Sequence, residues 1–124
     1  MAQSDINNND GNINNNGNYE IELSPPNFPK FQEGAERRDP VAMRQLARCY
    51  MKGIGCERNP QEAVRWFISA AEMQDSWARY KLACCYLNGE GVEKNKSKAE
   101  KWFRRAVEQG NKRANDELRK LEKK

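Results

Sequence analysis

The chain has no histidine among its 124 residues. That removes the commonest general base and a common metal ligand. A P-loop, a dinucleotide-binding glycine fingerprint and a nucleophile elbow are missing as well. The four cysteines, Cys49, Cys56, Cys84 and Cys85, contain no CxxC pair, so a zinc site lacks its usual ligands. A cysteine nucleophile would need an activating base, and none is identifiable. These absences argue against an enzyme, and no catalytic residue, cofactor or metal is expected.

Long apolar runs are also missing. No stretch approaches the roughly 18 consecutive apolar residues of a membrane-spanning helix. The N-terminus lacks a cationic start followed by an apolar stretch, so no secretory signal is expected and the expected compartment is the cytoplasm. In that setting the cysteines read as small buried apolar groups and not as a disulfide framework. The sequon Asn95-Lys96-Ser97 reads as helix-start chemistry.

Positive charge is absent from the head. All 22 Lys and Arg lie from Lys30 onward, while Asp5, Asp10, Glu20 and Glu22 precede it, so the head carries −4 and the rest +8. Residues 1 to about 18 are Asn-rich with almost nothing apolar, and such a segment cannot offset its ordering entropy by burial. Disorder is expected there, followed by an extended, proline-punctuated lead-in from Tyr19 to Pro29. The expected division is 1–28 for head and lead-in, and 29–124 for a folded domain.

Within that domain runs a 36-residue echo. It pairs Leu46 with Leu82, Tyr50 with Tyr86, Gly53 with Gly89 and Gly55 with Gly91. It also pairs Ala63 with Ala99, Trp66 with Trp102, Phe67 with Phe103 and Ala70 with Ala106. A period of this length marks stacked supersecondary units, each burying its apolar face against the next. Asp39-Pro40 starts a first helix (type A) carrying Ala42, Leu46, Cys49 and Tyr50 on one face. It stops at Gly53. Asn59-Pro60 starts a second helix (type B) that buries Ala63, Trp66, Phe67 and Ala70, with Glu62 placed for a capping box. Asp75 and Asn95 open the equivalent helices of the second unit. Phe31, Ala35 and Glu36 match Phe67, Ala71 and Glu72, implying a B helix before the first unit. Asn111, Ala114, Leu118 and Leu121 match Asp75, Ala78, Leu82 and Cys85, implying a final A helix with a solubilising outer face. The expected fold is all-α, with about six antiparallel helices stacked in an α/α superhelix.

The second copy reads Ala78-x3-Leu82-Ala83-x2-Tyr86-x2-Gly89-Glu90-Gly91-Val92, then Ala99, Trp102-Phe103, Ala106 and Gly110. This pattern resembles the SEL-one-like repeat, a relative of the tetratricopeptide repeat. Cys56 departs from it at the usual valine, as do Ala47 and Ala83 at a usual glycine. Gln74 departs from the inter-repeat glycine that Gly110 keeps. The resemblance implies a non-enzymatic adaptor or scaffold whose A helices form a concave, ligand-facing wall.

Function then belongs to the A-helix residues that the repeat leaves free. These are Val41, Arg44, Gln45, Arg48 and Lys52, then Trp77, Tyr80, Lys81, Cys84 and Asn88, then Arg113, Asp116, Glu117 and Lys120. A tryptophan, a tyrosine and several cations side by side have hot-spot composition. The candidate partner-binding residues are Trp77 and Tyr80 as anchors, Arg44, Arg48 and Lys81 as charge partners, and Cys84 beside them. The expected ligand is a protein or an extended, acidic peptide. One alternative is a structural module that dimerises through an incompletely capped end. A lesser one is the stripe Lys94, Lys98, Lys101 and Arg105 on the last B helix, which could meet nucleic acid or an anionic surface. That stripe lacks a nucleic-acid fold motif and is interrupted by Glu100 and Glu108, so nucleic acid is not the expected partner.

Overall fold

Proline, asparagine and aspartate set the frame of the stack by fixing where each helix begins. The computed structural model describes residues 12–13, 19–20 and 23–123. Among them are six α-helices: α1 (Phe28–Glu36), α2 (Pro40–Lys52), α3 (Pro60–Glu72), α4 (Ser76–Asn88), α5 (Lys96–Glu108) and α6 (Lys112–Glu122). Each packs on its sequence neighbours, and the short connections make neighbours antiparallel. The helical body matches the expected all-α solenoid. A separate feature precedes it: Asn12–Ile13 pairs antiparallel with Tyr19–Glu20. A ribbon of this length is marginal by itself in water, and the sequence reading did not anticipate it. The remainder of the expected disordered head lies outside the described residues.

The lead-in differs from expectation at its end. Pro25–Asn27 forms a 3-10 turn that runs into α1 at Phe28, so the body is helical before Pro29. Proline holds the backbone angle that helix starts require. Leu23 and Phe28 pack on the core, and Phe28 meets Tyr50 edge to face at 5.6 Å.

The five later helices are capped as expected. Asp39 accepts from the Val41 amide, and Asn59, Asp75, Asn95 and Asn111 accept from Glu62, Ala78, Lys98 and Ala114. The capping box at Asn59 is only half made. The Asn59 amide donates to the Tyr50 carbonyl at 2.7 Å, so the Glu62 carboxylate is not needed there. Asn95 repeats this toward Tyr86 at 2.8 Å. The A-to-B connection is thereby tied back to the helix it left.

The B-to-A connection uses a second repeated device. Arg38, Gln74 and Gly110, each 36 apart, sit at φ of 69°, 70° and 89°. The next residues, Asp39, Asp75 and Asn111, donate their amides to Gly34, Ala70 and Ala106 at 3.0, 3.1 and 3.1 Å. Glycine is therefore not needed for the turn to form. Two side-chain residues take the left-handed conformation and bear its cost of about 1–2 kcal/mol each.

The core runs between the helix rows. Phe67, Phe103, Leu46, Leu82 and Cys49 are fully buried, as the echo requires. Trp66 and Trp102 pack against that core and remain half-buried. α2 is enclosed more completely than its pattern implied. Met43, Gln45 and Ala47 are all buried, whereas Gln45 was expected on the open side.

The second glycine of each A-to-B loop fixes how closely the next unit approaches. A Cβ on Gly91 would collide with the Pro60 carbonyl oxygen and lie 2.8 Å from Val64 Cγ2. On Gly55 it would lie 2.6 Å from Phe28 Cβ. Each loop thus sits on the N-terminus of the B helix before it.

Three outcomes follow. Gly91→Ala should destabilise the fold by about 3 kcal/mol, because overpacking and left-handed strain combine; a thermal melt overlying the wild type would refute the close approach. Gln74→Gly should stabilise by roughly 0.5–1 kcal/mol, the relief of strain less the added freedom of the unfolded chain, read as a higher midpoint in urea. Phe103→Ala should cost about 3–5 kcal/mol by the same measurement.

Candidate protein-interaction surface

The A helices bring the expected site residues into rows 36 apart. One row is Val41, Trp77 and Arg113; the next is Arg44, Tyr80 and Asp116; then come Gln45, Lys81 and Glu117, and Arg48, Cys84 and Lys120. Trp77 and Tyr80 lie one turn apart on α4, with rings edge to face at 5.7 Å. The Arg113 guanidinium stands 5.7 Å from the Trp77 ring, and Lys81 Nζ stands 5.6 Å from that of Tyr80. Tyr80 also leans on buried Phe103, with ring centres 6.0 Å apart. Both aromatics are therefore half-buried and braced from beneath. The Trp77 indole nitrogen is buried and has no hydrogen-bond partner among the described residues.

The ionisable groups here are shifted by burial. Tyr80 is pushed up to about 12, chiefly by burial, with Cys84 and Glu117 adding to it. Burial raises the Cys84 thiol, while Tyr80 and Lys81 pull it back. Lys81 is held below the ordinary lysine range, first by burial and then by the Arg48 charge, with Lys52 and Arg113 adding to it. Cys49 and Cys85, deep in the stack, are pushed up to about 11 and about 12 by burial. Thiols held protonated in this way pack as small apolar groups, and all four cysteines are free.

Arg44 has a different role from the one expected. It is 6% exposed, and its Nε donates to Asp75 Oδ1 and Oδ2 at 3.0 and 3.3 Å. A charge this deep needs a partner, and Asp75 is the N-cap of α4. Arg44 therefore ties α2 to the start of α4 and does not present its charge outward. Sequence reasoning missed this pairing because the pair does not recur: one unit on, Arg44 becomes Tyr80, and Asp75, although matched by the cap Asp39, becomes Asn111. Arg48 stays half-buried on the wall and donates to Gln45 Oε1 at 2.9 Å.

Beside these residues a groove of about 120 Å³ opens between α2 and α4. Arg48, Met51, Lys52, Phe67, Lys81, Cys84, Cys85 and Glu90 line it. It gathers three of the expected site residues, Arg48, Lys81 and Cys84, while Trp77 and Tyr80 stand apart from it. Met51 and Glu90 were not foreseen, since they come from a helix end and a loop. A second cavity, of about 210 Å³, lies between α1 and α2 beside Phe31, Gly34, Val41 and Gln45.

The basic stripe on α5 is partly committed. Lys98 Nζ stands 5.4 Å from the Tyr86 ring, Arg105 stands 4.6 Å from Trp102, and Arg104 pairs with Glu122 at 3.5 Å. These aromatics lie on neighbouring turns and helices, so linear spacing hid them. Among the described residues no cluster of three or more His, Cys, Asp or Glu could hold a metal ion. No helix among them is long and apolar enough to cross a membrane.

A sequence profile of the Sel1 repeat matches residues 40–75 and 78–111. Among solved structures, a Sel1 repeat protein from Oxalobacter formigenes is 30% identical and superposes with a TM-score of 0.72, over 76% of this chain and 39% of that one. A protective antigen present in uropathogenic Escherichia coli strains, displaying an SLR fold, is 28% identical with a TM-score of 0.71, over 73% and 20% of the two chains. Helicobacter pylori cysteine rich protein B shares the fold at 24% identity and a TM-score of 0.70, over 73% and 68%. The chain thus spans well under half the length of the first two. No curated protein sequence matches it. The profile takes in more than half of the residues, including both A-to-B loops and the core aromatics Phe67 and Phe103, and the chain belongs to the Sel1 repeat family.

Proposed function

We propose that this chain is a non-enzymatic adaptor that binds a partner protein or peptide on the wall made by α2, α4 and α6. Sel1 repeats serve generally as protein–protein interaction modules, which supports the coarse reading. The observation that carries the finer one is the Trp77–Tyr80 pair, half-buried and braced, at positions where the stack itself does not need aromatics. Their equivalents in α2 are Val41 and Arg44, and in α6 Arg113 and Asp116. A rigid aromatic anchor costs little side-chain entropy on binding, and tryptophan, tyrosine and arginine dominate interface hot spots. Arg48 and Lys81 supply the adjacent charge, Cys84 fills the space between, and Arg44 holds the wall in place. The complementary ligand is an extended, acidic segment.

The test is a pull-down with the full chain and with Trp77→Ala combined with Arg48→Glu, each checked for native helicity by circular dichroism. Partners should be lost or weakened at least tenfold, since truncating a hot spot costs about 2 kcal/mol or more. Retention of every partner would place binding elsewhere. Sedimentation of the same samples tests the rival use of this wall: a constitutive dimer that Trp77→Ala dissolves would make it a self-association surface.

A further inference from the structure

Before Lys30 the chain carries four carboxylates, Asp5, Asp10, Glu20 and Glu22, and not one lysine or arginine. The last two stand in the alternating run Tyr19-Glu20-Ile21-Glu22-Leu23. Tyr19–Glu20 is extended backbone, paired with Asn12–Ile13. An extended acidic segment with an aromatic and an aliphatic side chain is the class of ligand proposed above for the wall. The chain carries such a segment itself.

The fold brings that segment out beside the wall. Leu23 packs on the core, and Pro25 and Phe28 lie against Gly55 in the loop that follows α2. Glu22 precedes Pro25 by three residues, and Lys52 precedes Gly55 by three. Each is thus at most about 11 Å of chain from that shared contact. The repeat gives a second bearing. Glu22 stands 36 positions before Arg58, and Arg58 crosses to the next loop, donating to Glu90 Oε2 at 2.7 Å. The same step taken from Glu22 leads to Ile54, which stands 36 before Glu90 and two residues from Lys52.

Lys52 is exposed, and it lines the groove between α2 and α4 together with Lys81. Lys81 is held below the ordinary lysine range first by burial and then by Arg48, with Lys52 and Arg113 adding to it. The potential there is positive as a sum over the surrounding charges, whichever individual pairs those charges also make. A carboxylate tethered by a few residues meets it at a local concentration in the millimolar range. A contact too weak to hold two separate molecules together is populated under that condition. The head of a second copy would have to displace this tethered rival. The basic stripe of α5 lies four helices beyond α1, where the lead-in joins the body.

We infer that residues 19–22 fold back over the end of the groove between α2 and α4, with Glu20 and Glu22 against Lys52 and Lys81, and occupy the wall until a partner's acidic segment displaces them. The inference rests on the adaptor reading and adds to it a built-in competitor.

Zero-length carbodiimide coupling of the full chain, read by mass spectrometry, tests the contact. Amide crosslinks should join Glu20 or Glu22 to Lys52 or Lys81. In an equal mixture of isotope-labelled and unlabelled protein they should stay within one chain. Competition is read by fluorescence anisotropy with a labelled synthetic peptide copying residues 17–24. Glu20→Gln combined with Glu22→Gln should bind that peptide about threefold more tightly than the wild type, the factor expected when the head covers two thirds of the molecules. Adding Lys101→Glu, on the outer face of α5, should leave that affinity unchanged. Absence of these crosslinks, or crosslinks only between labelled and unlabelled chains, would overturn the inference, as would equal affinity of the wild type and the Gln variant. If the two bind equally but binding is lost on Trp77→Ala, the adaptor wall stands and only the competitor falls. A peptide that binds neither chain also overturns the competitor alone, since the pull-down with Trp77→Ala and Arg48→Glu reads the wall separately.

Discussion

The Pro60 carbonyl oxygen leaves no space for a side chain on Gly91, and the rest of the stack is registered by that contact. A helix pair of this kind cannot bury its apolar stripe alone. It needs its neighbour at a fixed separation and a fixed rotation. Helix packing by itself tolerates a spread of angles, whereas a loop backbone seated on the first turn of the preceding B helix does not. Once that seat is set, Phe67 and Phe103 fall into the spaces between rows, and the A helices lie side by side. Gly55 on Phe28 repeats the contact one unit earlier, which explains why the chain before the first complete unit is already helical.

The framework spends its polar groups economically. Asn59 and Asn95 each satisfy the start of one helix with the side chain and a carbonyl in the last turn of the preceding helix with the amide. Asp75 caps α4 and also neutralises Arg44. Gln109 spans a repeat by donating to the Gln74 carbonyl and accepting from Arg79. The loop ends are thereby accounted for with few residues, and the exposed faces of the A helices are left with little structural duty.

Most of the fold was legible because period, caps and breakers all pointed to the same boundaries, and a mistake in one copy would have been visible in the other. What was not legible arose wherever three-dimensional contact overrides local preference. Gln74 and Arg38 adopt a left-handed backbone because the amide that follows each must reach the end of the preceding helix, not because their own chemistry favours it. Gln45 is buried because α2 is flanked by α1 as well as α3, a neighbour that its helical pattern alone does not count. The Arg44–Asp75 pair spans 31 positions and has no counterpart one unit on, where Tyr80 and Asn111 stand, so no periodic argument could find it. Of the candidate wall, the residue types were readable from sequence. Their division into an aromatic anchor and a cationic groove was not, because it depends on which side chains from different helices converge.

The buried Arg44–Asp75 pair joins the middle of α2 to the first turn of α4. Bending the stack between those helices would pull a desolvated charge away from Asp75, a motion opposed more strongly than ordinary sliding of apolar surfaces. The aromatic pair on α4 and the cations on α2 are therefore held in one arrangement before any ligand arrives. A wall that does not have to be ordered on contact would keep its interaction energy for whatever ligand it met.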